Sequence, residues 1–509
     1  MKPFLNVEKD RKEYHKNINL NTVHRSSLLV PKIQKNKTCI TFLNHFLLKR
    51  SYKDVVIKIT GYFSNGESGD SISYVIDKPK EYIFYLEELG DLYSCYQVEF
   101  FCAQNLFIPF PAVMINHISE HSINSVHSYN RILNDTREES NVNQIHLREA
   151  SIDFSSSDKY NTFFILQSGL IDLDGFLELT LEPRNSNNEK ISKKIAVSMK
   201  KMSIKKLNLN EIFTKELLGR DIKPSEYTLR ILQPKQTMFY GRLLAGIENI
   251  DTGSISANHS YYDNSEFEEY FKSNNSFRTF PFFANSKNKL RIYPIMSKGK
   301  GNFLIFINYV ERNQIKTLLL DEFKFDNTKT LLSIDIDKLL TKFDHKLDNI
   351  QTFSVVYSAI SNYKVPTRVN MQLIYGSKIE NNLDSSINVS LGNNDNFAPK
   401  GKKSYSWIQM VNSNDYLSQV GICFNNYQLD ENIDKSYHPV EIQLFDSKGC
   451  FMKKEISLRY LEVFNLSNLE VKSKDIFIWM VAKSETPNLS IFGFQTNKNS
   501  HFSSGEHSF

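Results

Sequence analysis

Long apolar runs are missing from this sequence. The strongest, Phe303–Val310 and Phe477–Ala482, are far too short to cross a bilayer as helices. Cysteine is scarce: the five residues Cys39, Cys95, Cys102, Cys423 and Cys450 are odd in number and form no C-x-x-C pair. That argues against a disulfide framework or a structural zinc knuckle and for reduced core thiols. Charge of one sign is lacking as well. With 62 basic against 57 acidic residues the net charge is +5 over 509 residues, which gives no case for a nucleic-acid partner. Glycine and proline are modest at 19 and 14. No G-x-G-x-x-G, P-loop or G-x-S-x-G elbow occurs, which removes the common nucleotide-cradling and nucleophile-elbow chemistries. The first residues, MKPFLNVEKDRKEYHKN, lack the apolar segment of a signal peptide. The expectation is a cytoplasmic protein, or one reaching a surface by a non-classical route.

What the sequence does contain is aromatic, β-forming and repetitive. Thirty-seven Phe and 25 Tyr sit among Asn/Ser clusters, the chemistry of strands and turns. A short phrase returns: SINSVHSY at Ser122–Tyr129, SISANHSYY at Ser254–Tyr262, SINVSLGN at Ser386–Asn393, and SSGEHSF at the last residues. Aligned on His127, His259, Leu391 and His507, the steps are 132 (259 − 127), 132 (391 − 259) and 116 (507 − 391). Self-similarity at a fixed period marks one folding unit per repeat.

Each repeat shows the same order of features. An alternating strand comes first, with Val55, Ile57 and Ile59 in repeat one, Leu177, Leu179 and Leu181 in repeat two, and Val420, Ile422 and Phe424 in repeat four. Repeat three has the continuous run FLIFINYV in that place, which reads as a strand buried on both faces. A polar turn follows, then a short helical segment (Leu86–Gly90, Leu209–Gly219, Ile336–Phe343), another strand, a proline, a last strand and the phrase. About 100 residues per unit with no βαβ pattern predicts an all-β chain of four tandem degenerate antiparallel β-sandwich repeats. The expected boundaries are 25–140, 145–275, 280–398 and 403–509, after a polar N-terminal arm at 1–24.

Candidate sites are few. His127, His259 and His507 recur at one point of the phrase. Three neutral imidazoles converging on one ion would hold zinc, iron or manganese and leave positions open for water or substrate. The plainer reading, in which histidine, serine and aromatic satisfy a strand exit at a domain junction, is preferred. His117 and His121 belong to H-x-x-E-H (His117–His121), the inverted zincin spacing. That chemistry needs a helix, whereas the preceding FPAVMIN reads as a strand. Tyr129, Tyr261 and Tyr262, with Tyr405 and Trp407, are candidates for stacking on sugar rings. The pairs Asp172/Asp174 and Asp335/Asp337 read as solvated turn and helix-start residues rather than as a glycosidase pair. Lysines at Lys190–Lys206 read as guards on an edge strand rather than as a polyanion site. The leading expectation is a non-enzymatic binding or scaffold protein that recognises a glycan or a protein surface. The rivals are a metal-dependent hydrolase or oxygenase built on the three histidines, and a structural component of a surface or particle assembly.

Overall fold

The computed structural model describes residues 24–102, 111–132, 148–183, 189–217, 221–234, 238–262, 269–293, 295, 297–326, 332–343, 349–379, 383–392, 403–425, 436–467 and 473–509. Of the N-terminal arm expected at 1–24, all but His24, which opens the first strand, lies outside them. Of the described residues 62% are strand and 6% helix, and four sandwiches follow one another along the chain.

The first contains β1 (His24–Pro31), β2 (Lys37–Leu43), β3 (Val55–Tyr62), β4 (Ser68–Val75), β5 (Glu81–Tyr85), β6 (Cys95–Cys102), β7 (Met114–Ile118) and β8 (Ile123–His127). After it, β9 (Asn130–Ile132) leads on to the second. There follow β10 (Arg148–Ser156), β11 (Tyr160–Gln167), β12 (Leu173–Pro183), β13 (Ile191–Met199), β14 (Ile204–Asn208) and β15 (Ile222–Leu232). A short β16 (Met238–Gly241) precedes β17 (Leu244–Asn249), β18 (Ile255–His259) and β19 (Tyr261–Tyr262). The third sandwich has β20 (Asn275–Pro281), β21 (Lys287–Ile292), β22 (Lys300–Glu311), β23 (Gln314–Asp326), β24 (Leu332–Asp335), β25 (Ile350–Ala359), β26 (Asn370–Gly376) and β27 (Ile387–Ser390). The fourth has β28 (Ser404–Val411), β29 (Tyr416–Phe424), β30 (His438–Asp446), β31 (Gly449–Leu458), β32 (Val463–Ser467), β33 (Phe477–Ser484), β34 (Leu489–Asn497) and β35 (Ser503–His507).

One topology is used four times. In the first sandwich β4-β3-β6-β1 face β5-β2-β7-β8; in the third, β23-β22-β25-β20 face β24-β21-β26-β27; in the fourth, β31-β30-β33-β28 face β32-β29-β34-β35. The second repeats it with β13-β12-β15-β10 and β14-β11-β17-β18, joined edgewise where β10 meets β11. All pairings are antiparallel, as a Greek-key sandwich requires.

This order corrects one equivalence. Val420, Ile422 and Phe424 lie on β29, the second strand of its sandwich, whereas Val55–Ile59 and Leu177–Leu181 lie on third strands. Alternation identifies a strand but not its place in the order. The run at Phe303–Val310 is buried on one face and half-buried on the other, rather than buried on both as its composition suggests. Phe303, Ile305 and Ile307 enter the third core, while Leu304 and Phe306 pack with Leu461 and Tyr460 of the fourth sandwich. At its end the β22–β23 hairpin turns through Arg312 and Asn313, both at positive φ (48° and 61°). Two such residues match the right-handed twist of the flanking strands.

The chain divides into two compact units, 1–263 and 264–509, each holding two sandwiches. Within each unit the sandwiches meet through their eighth strands, β8 with β18 and β27 with β35. An uncovered edge strand is a row of unpaired N–H and C=O groups, and here each eighth strand is covered by its neighbour. In the first unit the apolar cluster of sandwich one continues through Phe163, Ile165, Leu244, Ile255 and Ala257 of sandwich two. In the second, Phe492 and Phe494 of β34 join the core of sandwich three, with Phe494 stacked on Tyr375 at 5.3 Å. Burying such side chains contributes about 1.5–3 kcal/mol each, so each seam is an extension of a core.

Candidate functional site

The phrase ends the eighth strand of every sandwich. Ladder register shows which residues are equivalent: Met114 faces His127, Leu244 faces His259, Asn370 faces Ser390, and Phe492 faces His507. The third copy therefore has Ser390 at the histidine position, and Leu391 stands one residue later, where the others have serine. The same amide bond recurs there. Ser128, Ser260, Leu391 and Ser508 donate their N–H to the carbonyls of Val113, Leu243, Val369 and Ile491. Serine adds a second tie, since the Ser260 hydroxyl accepts from the Leu243 amide at 3.0 Å and that of Ser508 from Ile491 at 3.3 Å. Local hydrogen bonding at the strand exit thus accounts for the serine, and in two of the copies it engages the histidine as well.

His127 and His259 come together at the seam of the first unit. Their rings stand edge to face, with centroids 4.7 Å apart and planes at 86°. His259 is buried and His127 half-buried. Nδ1 of His259 lies 3.0 Å from the Ser260 carbonyl, and Nδ1 of His507 lies 2.8 Å from that of Ser508. A carbonyl only accepts, so Nδ1 carries the proton and the lone pair sits on Nε2. His507 belongs to the second unit, where its amide donates to the buried Glu506 carboxylate at 3.0 Å.

The other candidates separate. His117 is on β7 and His121 in the turn after it, so the H-x-x-E-H spacing does not lie on a helix. His117 is fully buried, and burial lowers its pKa to about 3, leaving a neutral imidazole. His121 stands at the surface side, 4.0 Å from Glu120. Tyr129 is fully buried and its hydroxyl accepts from Gln167 at 3.1 Å; Tyr261 is 5% exposed. Neither ring offers a face to a sugar, and the side chain of Tyr262 lies outside the described residues. Trp407 is buried too: Phe509 stacks on it at 5.9 Å and on Trp479 at 6.1 Å. Asp172 pairs with Lys200 at 2.9 Å and accepts the Lys201 amide. Asp335 caps the helix at Ile336–Leu340 by accepting from Lys338, and Asp337 accepts the Asn288 amide. Neither of these aspartate pairs is poised for acid–base work. Five lysines of the basic stretch, Lys190, Lys193, Lys194, Lys200 and Lys206, are ion-paired with Glu182, Glu216, Glu178, Asp172 and Glu248. All five cysteines are thiols, four of them buried.

One cluster escaped sequence reasoning. Thr38, His117 and Asn124 are directly opposite one another on β2, β7 and β8. Thr38 Oγ1, both His117 nitrogens and Asn124 Nδ2 are buried without a protein partner. The three residues come from separate strands, and no sequence signal joins them.

Two clefts of about 270 and 580 Å³ contain none of these residues; the larger is lined by Tyr62, Glu67, Ser68 and Lys201 among others. Among the described residues, no helix is long and apolar enough to cross a membrane.

No protein-family model matches the chain, and no curated protein does. Among solved structures it is similar to an Escherichia coli alpha-2-macroglobulin in its native conformation. The identity is 8%, over 92% of this chain and 28% of that one, with a TM-score of 0.12. The chain spans little more than a quarter of that protein's length, and a likeness this weak carries no argument.

Proposed function

We propose that this chain is a non-enzymatic scaffold that binds a protein partner along an exposed strand edge. The supporting observation is the unequal treatment of sheet edges. Eighth strands are covered in pairs, whereas the fourth strands β4, β13, β23 and β31 each end their sheet. Charged side chains guard three of these: Lys193 and Lys194 on β13, Lys316 and Lys324 on β23, Lys453 and Lys454 on β31. Lysine on an edge discourages pairing with another chain. The remaining edge, β4 (SGDSISYV), has no lysine or arginine and exposes Tyr74 (47%) and Val75 (64%). It suits addition of an extended segment, where main-chain bonds supply affinity and alternate side chains supply selectivity.

The test places a photo-crosslinking residue at Tyr74 in cells that make the protein, beside a glycan panel on purified protein. The expected result is a discrete protein adduct that disappears in Tyr74→Lys/Val75→Lys. Binding to a glycan that this double substitution leaves intact would overturn the proposal.

A further inference from the structure

We infer that Thr38, His117 and Asn124 form an internal hydration site, in which bound water bridges the three side chains between the sheets of the first sandwich. The site is independent of the β4 edge. The ladder places Thr38 opposite His117 and His117 opposite Asn124, so the three stand in one row across β2, β7 and β8. Ile40, Ile115 and Val126 form the next row on the same face, two residues along each strand, and belong to the apolar core. The polar row therefore points inward. Side chains directly opposite on adjacent strands have Cβ atoms about 5 Å apart, close enough to share one small partner. Relative exposure is 0% for Thr38 and His117 and 1% for Asn124. Even so, Thr38 Oγ1, both nitrogens of His117 and Asn124 Nδ2 have no protein partner.

A second observation comes from the third sandwich. The same three places there hold Leu290, Leu373 and Ile387, joined by the same register and fully buried. The topology thus packs apolar side chains in this row and does not call for polar ones. Burying polar groups without hydrogen bonds is costly, and native structures satisfy them with protein or with water. The donors and acceptors decide which small partner fits. Burial keeps His117 neutral, so one ring nitrogen donates and the other accepts. Thr38 Oγ1 can do either. Asn124 Nδ2 only donates, while Oδ1 of the same amide takes the Ala257 N–H at 2.8 Å. Water both donates and accepts, and makes about three bonds in protein interiors. A chloride would only accept, leaving the acceptor nitrogen of His117 unsatisfied. Through Asn124 the water is continuous with Ala257, so the hydrogen bonding of the seam extends into the core of sandwich one.

Oxygen-17 relaxation dispersion of water, measured on the whole chain, reports the number of long-lived internal waters. Thr38→Val/His117→Leu should lower the dispersion amplitude by at least one such water relative to the unaltered chain. The double substitution leaves the Asn124–Ala257 tie in place, and circular dichroism establishes that the variant is folded. Equal amplitudes in the two folded proteins would overturn the inference. Crystals of the unaltered chain give a readout that needs no variant. A density peak about 3 Å from a His117 nitrogen and from Asn124 Nδ2 is expected. No ordered peak among the three side chains would overturn the inference. So would an anomalous peak at that position after a bromide soak, which would assign the site to an anion.

Discussion

The side chain of Asn124 reaches out of β8 to the backbone of Ala257 on β18, its Oδ1 accepting that amide at 2.8 Å. Ala257 lies on the last strand of its sheet, so this is how one sandwich satisfies the edge of the other. Removing the acceptor leaves a buried N–H unpaired, at a cost of about 1–3 kcal/mol. Asn124→Ala should therefore accelerate hydrogen exchange at Ala257 while exchange in the third and fourth sandwiches stays unchanged.

Two buried histidines make the first sandwich acid-labile. Burial lowers His45 and His117 to about 3 each from an ordinary value of 6.5. The unfolded chain binds more protons than the folded one between those values, so stability is complete above 6.5 and falls as pH drops towards 3. The slope is about 1.4 kcal/mol per pH unit for each histidine. His117→Leu should remove one share of it, read as a shallower pH dependence of the urea midpoint for peptides of residues 24–132 in exchange mass spectrometry. An unchanged slope would show that His117 is not buried neutral.

Phe509 joins the only two tryptophans in one stack, which puts an optical reporter in the fourth sandwich. Phe509→Ala should shift tryptophan emission to the red and, the ring being half-buried, lower the stability of that sandwich by about 1 kcal/mol.

A methyl group is enough to test the seam of the second unit. A Cβ at Gly421 on β29 would stand 2.5 Å from Cβ of Pro281 at the end of β20. A proline ring cannot swing aside, and overpacking of this kind costs about 1–3 kcal/mol. Gly421→Ala should lower the melting temperature and loosen protection around Thr279, whose amide bonds Asn425 of the fourth sandwich. Gly493, where the nearest atoms are 3.2 Å away and belong to Ile408 and Val420 side chains, should tolerate alanine better.

Strands were legible wherever apolar residues alternate, because period two directly encodes which side chains meet the core. The short helices at Leu86, Leu209 and Ile336 were legible for a similar local reason. Position within the fold was not. Val420–Phe424 has the same pattern as Val55–Ile59 yet occupies a different strand, since alternation carries no information about neighbours. The one-residue slip between Leu391 and Ser390 has the same origin: without a histidine, Ser-Ile-Asn-Val aligns by resemblance, and only ladder register distinguishes the two. Tyr129 and Tyr261 looked available because tyrosine is amphipathic; their burial depends on a neighbouring sandwich that the sequence does not reveal. The meeting of His127 with His259, 132 residues away (259 − 127), depends on that same packing.

The seam between eighth strands also bears on which length of chain folds as a unit. A lone sandwich of this topology has a sticky margin at its eighth strand and an apolar outer face, Phe163 and Ile165 in one case, Phe492 and Phe494 in the other. Because equivalent eighth strands meet in both units, each copy of the sandwich supplies the complement of the other. The folding module is then the couple, and a gene trimmed to 24–263 should yield a soluble product, whereas one trimmed to 24–147 should yield inclusion bodies.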